Sequence, residues 1–257
     1  MSGEPKSVFN NNIRALQMFN HVMLLVGFGA VLTGLCSTTY LWIGLVSYLL
    51  VEMVGTNIGM HRYFSHRSFK TYRPVEYVLG FLATIATVGP IIGWCGLHRY
   101  HHGNTDTDLD PHDPRRIGVW NAWVYNWKRS KFSRSYIKRE LQDPMIVFFS
   151  RHYFKTIFAY VALLMAIDPW LVVWAYCIPA CGSYLAISAV TVIGHMHGYK
   201  TYDVGDQARN SWITCLLSCG EGWHNNHHAH PGNYNNGHQW WEFDPNRWVI
   251  ELIRKRT

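Results

Sequence analysis

Three short runs of the 257-residue chain concentrate imidazole: "HRYFSH" carries His61 and His66, "HRYHH" carries His98, His101 and His102, and "HNNHH" carries His224, His227 and His228. Two of them share the spacing H-x-x-H-H. On an α-helix, positions i, i+3 and i+4 fall on one face, so each triplet can aim three rings at one point. His61 and His66 are five residues apart, about 140° round a helix of 3.6 residues per turn. They cannot share a straight helical face, so the helix is expected to end there or each ring to approach a different metal. Imidazole binds metals as the neutral ring. Eight rings exceed the roughly four that one zinc takes, which makes two metals the economical reading. An all-nitrogen donor set admits iron, zinc, copper or nickel.

Carboxylates crowd the second run, "HRYHHGNTDTDLDPH", at Asp106, Asp108 and Asp110, with Asp113 just beyond. Metal-bound imidazoles commonly donate their other N–H to a carboxylate, which fixes the ring. Some of these four are expected to do so, the rest capping turns or facing solvent. Glu221, three residues before His224, is a further candidate. His21, His152 and His238 read as ordinary hydrogen-bonded histidines.

The elements that must position these rings are apolar. Hydrophobic residues make up 49% of the chain and charged residues only 15%, against roughly 25% charged in soluble domains. From Ala15 to His61 there is no Lys or Arg and only Glu52 is acidic; from Thr156 to Tyr199 only Asp168 carries charge. Each stretch is about twice the ~20 residues that cross a bilayer. The expected fold is therefore an all-α integral membrane protein. Four transmembrane helices, near 19–35, 40–59, 153–167 and 171–194, form two hairpins, with a helical cap of residues 61–152 and 195–257, all within one domain spanning 1–257. Lys and Arg outside the spans place both termini and the histidines on the cytoplasmic side, and the net charge of +7 suits an anionic lipid surface rather than nucleic acid.

"VEYVLGFLATIATVGPIIGW" is interrupted by Gly89-Pro90 and Gly93 and reads as a re-entrant or capping element rather than a fifth span. Trp120, Trp123, Val124 and Trp127, at i, i+3, i+4 and i+7 and followed by Lys128, Arg129, Lys131 and Arg134, predict an interfacial amphipathic helix. The six cysteines form no C-x-x-C pair and are expected to be reduced and buried.

The chain resembles the membrane-bound fatty acid desaturases of the acyl-lipid and acyl-CoA type. The resemblance rests on "HRYFSHRSF", "HRYHHGNTDTDLDPH", "LQDPMIVFFSRHYF", "HGYKTYD" and "GEGWHNNHHAHP", which follow in family order. It implies a four-helix membrane fold whose cytoplasmic cap holds two non-haem iron ions, and a reaction in which O2 and two electrons convert a saturated acyl chain to a cis-unsaturated one. A ninth ligand just past the fourth span is implied at His195, with His197 its competitor. Relatives carry a water-holding Asn four residues earlier, where this chain has Thr191. Trp94 would wall the acyl tunnel near its bend, and Leu45 and Leu49 would limit chain length. Acyl-CoA desaturases carry Arg-Asp before the second box, where this chain has Gly96 and Leu97, which leans towards a lipid- or acyl-carrier-protein-linked chain over a CoA-linked one. Electrons would come from a separate ferredoxin or cytochrome b5.

Three other readings stand beside this one. The same two-metal scaffold could hydroxylate an acyl or alkyl chain. A zinc hydrolase should show H-E-x-x-H or a comparable site with a base, and neither occurs. A non-enzymatic membrane metal-binding protein has no need of the residues around the boxes.

Overall fold

The computed structural model describes residues 11–127 and 132–256, which fold as helices joined by turns, with no strand among the described residues. Helix α1 (Asn11–Leu32) begins eight residues before the expected span. Helix α2 (Thr39–Ser65) is α-helical to Leu49 and π-helical from Leu50. After α3 (Arg73–Ile85) and α4 (Ile91–His102) come two short turns of helix, α5 (Pro114–Ile117) and α6 (Val119–Trp123). Then follow α7 (Lys138–Gln142), α8 (Pro144–Arg151), α9 (Tyr153–Ile167) and α10 (Pro169–Met196), and finally α11 (Trp212–Leu217), α12 (His224–Ala229) and α13 (Pro245–Ile253).

Among the described residues, three helices, α1, α2 and α10, are long and apolar enough to cross a membrane. The fourth expected span, α9, has 15 residues, about 22 Å of helix against a hydrocarbon core of about 30 Å. The two hairpin turns meet: the Tyr40 hydroxyl, just after the first, donates to Asp168 in the second. Asp168 also caps α10, accepting the Trp170 N–H at 2.8 Å. The ends of α2 and α10 that carry His61 and His195 therefore lie together at the opposite end.

The interrupted stretch is two helices. Between α3 and α4 the chain turns through Thr87 (φ 59) and Gly89 (φ 121), and Pro90 opens α4 as its N-cap. The freed backbone is satisfied inside the protein: Gln17 donates to the Thr87 carbonyl at 2.7 Å, and the Gly89 N–H donates to the Tyr153 hydroxyl at 3.2 Å. Helix α3 lies so close on α2 that a Cβ at Gly55 would stand 2.7 Å from the Leu82 backbone.

The expected amphipathic helix is shorter than its periodicity suggests. α6 stops at Trp123, and Tyr125 turns the chain at φ 53 to pack its buried ring 4.2 Å from Tyr184 of α10. That tertiary contact outweighs the helical pattern. Trp120 faces outward, whereas Trp127 packs inward on His112; Lys128, Arg129 and Lys131 lie outside the described residues. All six cysteines are free thiols, and only Cys219 is not buried.

Candidate metal centre

The first box closes on itself through the π-helix. The His66 N–H donates to the His61 carbonyl at 3.1 Å, the i→i+5 bond of a π turn. The five-residue spacing therefore falls on one face, and the two rings stand 4.9 Å apart. Helix α2 does end there, as expected, but the rings converge rather than part. Its last carbonyls, orphaned like those of any helix end, are taken by Arg99 of the second box, which donates to Ser65 O at 2.7 Å and Phe64 O at 2.8 Å. Glu140 of α7 holds Arg99 in turn at 2.8 Å.

The rings form two sets. His61, His66, His98, His102 and His227 make one; His101, His195, His224 and His228 make the other, each set offering nitrogens within 4.8 Å of one another. Each H-x-x-H-H triplet is thus divided between the two. Within the sets, neighbouring Nε2 atoms stand at 3.0 Å (His61–His227), 3.1 Å (His98–His102), 3.0 Å (His102–His227) and 3.0 Å (His195–His224). Ligands at right angles around one ion about 2.1 Å away stand about 3 Å apart. His101 and His228 offer Nε2 atoms that are buried without a hydrogen-bond partner among the described residues, a costly arrangement unless something else accepts the lone pair. Burial, with the neighbouring rings, pushes His66, His98, His102, His224, His227 and His228 well below the ordinary histidine pKa, keeping the lone pairs available. These residues fit a pair of metal ions.

Carboxylates hold the far side of the rings. Glu221 lies 2.9 Å from His61 Nδ1, Asp110 3.0 Å from His101 Nδ1, Asp206 2.7 Å from His228 Nδ1 and Asp106 3.7 Å from His195 Nδ1. Burial pushes the Glu221 carboxyl up, but Arg62 and His61 beside it outweigh that and hold it at about 2. Burial likewise raises Asp110, and His101 and His112 bring it below the usual carboxylate range. Asp108 stands apart, exposed on the surface and paired with Arg116, and Asp113 caps α5 through the Arg115 N–H.

A cavity opens from the rings along α2 and α10. His61, His98, His101, His195 and His224 line one end, Trp94, Leu97, Ile187 and Val190 its walls, and Glu52 and Thr56 also face it. Trp94 stacks on the His98 ring at 4.8 Å. Thr191, one turn before His195, lines the cavity too, while His197 is exposed beyond the helix end.

The family model described as "Fatty acid desaturase" matches residues 37–254. The chain belongs to that family. Among curated relatives, this desaturase is 34% identical over 216 residues to the "sn-1 stearoyl-lipid 9-desaturase" of Anabaena variabilis, covering 82% of this chain and 79% of that protein. It is 32% identical over 223 residues to the "Acyl-CoA 5-desaturase AL21" of Anemone leveillei, covering 82% and 68%. Against the "Delta-9 acyl-lipid desaturase 2" of Arabidopsis thaliana it is 31% identical over 223 residues, covering 83% and 71%.

One expectation for the desaturase changes with the geometry. Leu45 and Leu49 lie on the outer face of α2, 45% and 38% exposed, because the cavity meets that helix further on, along its π-helical turns, at Glu52, Thr56 and Asn57. Sequence reasoning also missed Asp206 and the arginines within the boxes. Arg62, 1% exposed, forks onto Asp244 at 2.6 and 3.1 Å and reaches Glu221 at 2.8 Å, tying box one to the third-box segment. The recurring "HR" of the first two boxes was the available signal.

Proposed function

We propose that this desaturase inserts a cis double bond into a saturated acyl chain carried by a membrane lipid, at a pair of iron ions held by His61, His66, His98, His102 and His227 on one side and His101, His195, His224 and His228 on the other. The division of nine imidazoles into two sets at one end of an apolar cavity carries this reading. Two irons supply what no side chain can: activation of O2 for removing hydrogen from an unactivated methylene. The chain's own residues position and exclude. Glu221, Asp110 and Asp206 hold the Nδ1 side of three rings so that Nε2 faces inward. Thr191 is placed to hold a water beside His195. Trp94, Leu97, Ile187 and Val190 fix which methylenes lie at the rings and keep water from them.

A lipid-linked chain is favoured at Gly96, where acyl-CoA desaturases carry the Arg of their Arg-Asp pair: a Cβ at Gly96 would stand 2.4 Å from the Phe132 ring, leaving no room for a longer side chain. We place α1, α2, α9 and α10 as four spans of a single domain, with termini and histidines on the cytoplasmic side, and a separate ferredoxin or cytochrome b5 meeting the basic face to deliver electrons. Expression in a host with a simple lipid profile, followed by mass-spectrometric location of double bonds in each lipid class, tests the reading. A new cis double bond that needs O2 is expected; a new hydroxyl, or an unchanged profile with the protein in the membrane, contradicts it.

A further inference from the structure

Glu52 is the one acidic residue between Ala15 and His61, and it lies inside a membrane-spanning helix at 1% exposure. Both carboxyl oxygens are buried without a hydrogen-bond partner among the described residues, yet Glu52 lines the same cavity as His61, His98 and Trp94. A buried polar group is normally paired because leaving it bare costs several kcal/mol in hydrocarbon, and an ionisable group within a span marks a functional site by default. Gln17 of α1 meets the Thr87 carbonyl and Arg62 meets two carboxylates; the Asn20 amide of α1 is also bare among the described residues, but it does not line this cavity. Glu52 has only the Thr56 and Ser183 hydroxyls near it, and neither stands within hydrogen-bond distance of its carboxyl oxygens. Beside it, the Thr56 hydroxyl lies 3.5 Å from that of Ser183, so polar groups gather around Glu52.

We propose that Glu52, with Thr56, forms a polar subsite that takes a hydroxyl group on the methyl-side half of the acyl chain. The inference rests on reading the cavity as the acyl site. A lipid headgroup stays at the membrane surface, at the end of α2 where the histidines lie, so the chain runs inward from His61 towards Glu52. Whatever meets Glu52 therefore lies beyond the reacting carbons. A hydroxyl both donates and accepts, and so does a carboxyl group in its acid form; together they leave neither bare. A plain hydrocarbon leaves the carboxyl unpaired, and sites with buried polar groups discriminate strongly against a ligand lacking the matching one.

The test is competitive binding to the purified full-length protein in detergent, using stearate and its monohydroxy derivatives substituted at successive carbons of the methyl half. At least one hydroxylated chain is expected to bind about tenfold or more tightly than stearate. Glu52→Leu is expected to lose that preference, and Glu52→Gln, which still donates and accepts, to keep most of it. Equal binding of stearate and the whole panel by the unaltered protein overturns the subsite, an occupant water being the simpler partner in that case. Retention of the preference by Glu52→Leu also overturns it. Desaturation of plain chains without a hydroxyl preference removes the subsite and leaves the proposed function standing; a hydroxyl preference without any desaturation does the reverse.

Discussion

Asp206 stands 2.7 Å from Nδ1 of His228, a carboxylate from the loop after α10 fixing a ring on α12. Three such carboxylates, Asp206, Asp110 and Glu221, lie within hydrogen-bond distance of an imidazole Nδ1 at the candidate centre, and Asp106 stands further off, 3.7 Å from His195. Removing one leaves the ligand in place but free to turn. Asp206→Asn is expected to weaken metal retention by about 10–100-fold, measured by dialysis against a chelator, with protein yield unchanged. Retention equal to that of the unaltered protein would show that the pair does no orienting.

Arg62 joins Glu221 to Asp244 with its guanidinium almost wholly enclosed. Truncating it strands two buried carboxylates, a change that typically costs about 3–5 kcal/mol. Arg62→Met is expected to lower the unfolding free energy by about that much, with Arg62→Lys recovering only part because it lacks the fork. Denaturant unfolding of the metal-free protein in detergent reads both. A loss under about 1 kcal/mol for the methionine variant would contradict the network's structural weight.

Glu140 gives a pH dependence. Burial pushes its carboxyl up, the Arg99 hydrogen bonds push it down further, and the net lies below the ordinary 4.5. Since the folded value is the lower one, this pair stabilises fully above about pH 4.5 and is lost as pH falls through the folded value. The melting temperature of Glu140→Gln should lie below that of the unaltered protein at neutral pH, with the gap narrowing below pH 4.5. A gap of constant size down to pH 3 would rule out the pair as its source.

With the cavity as the proposed acyl site, Ile187 rather than Leu49 would meet the acyl chain. Because Leu49 faces outward and Ile187 lines the cavity, Ile187→Phe is expected to move the product profile towards shorter acyl chains while Leu49→Phe leaves it alone. Fatty acid profiling of an expressing host distinguishes them, and a shift with Leu49→Phe instead would restore the expectation read from the sequence.

The all-helical class, three of the apolar helices and the histidine clusters were legible because charge is segregated so sharply and because H-x-x-H-H has few other uses. His195 followed from resemblance; it lies buried beside His224, and His197 is exposed. What sequence periodicity could not supply was helix type: a 3.6-residue repeat parts His61 from His66, whereas the π turn brings them together, and the same wider turns set which residues of α2 face the cavity. Nor could it show long-range pairing. Asp206 reaches His228 across 22 residues and Arg62 reaches Asp244 across 182, and no local pattern marks either. The tryptophan stripe misled because Tyr125 turns the chain to pack on Tyr184.

The account turns on two sets of rings binding two ions, and the direct measurement is iron per polypeptide in purified, iron-loaded protein, compared with His227→Ala and His224→Ala, one variant from each set. About two irons are expected for the unaltered protein and about one for each variant, both variants still reaching the membrane and neither desaturating. A single iron in the unaltered protein, or two retained in either variant, would contradict the account.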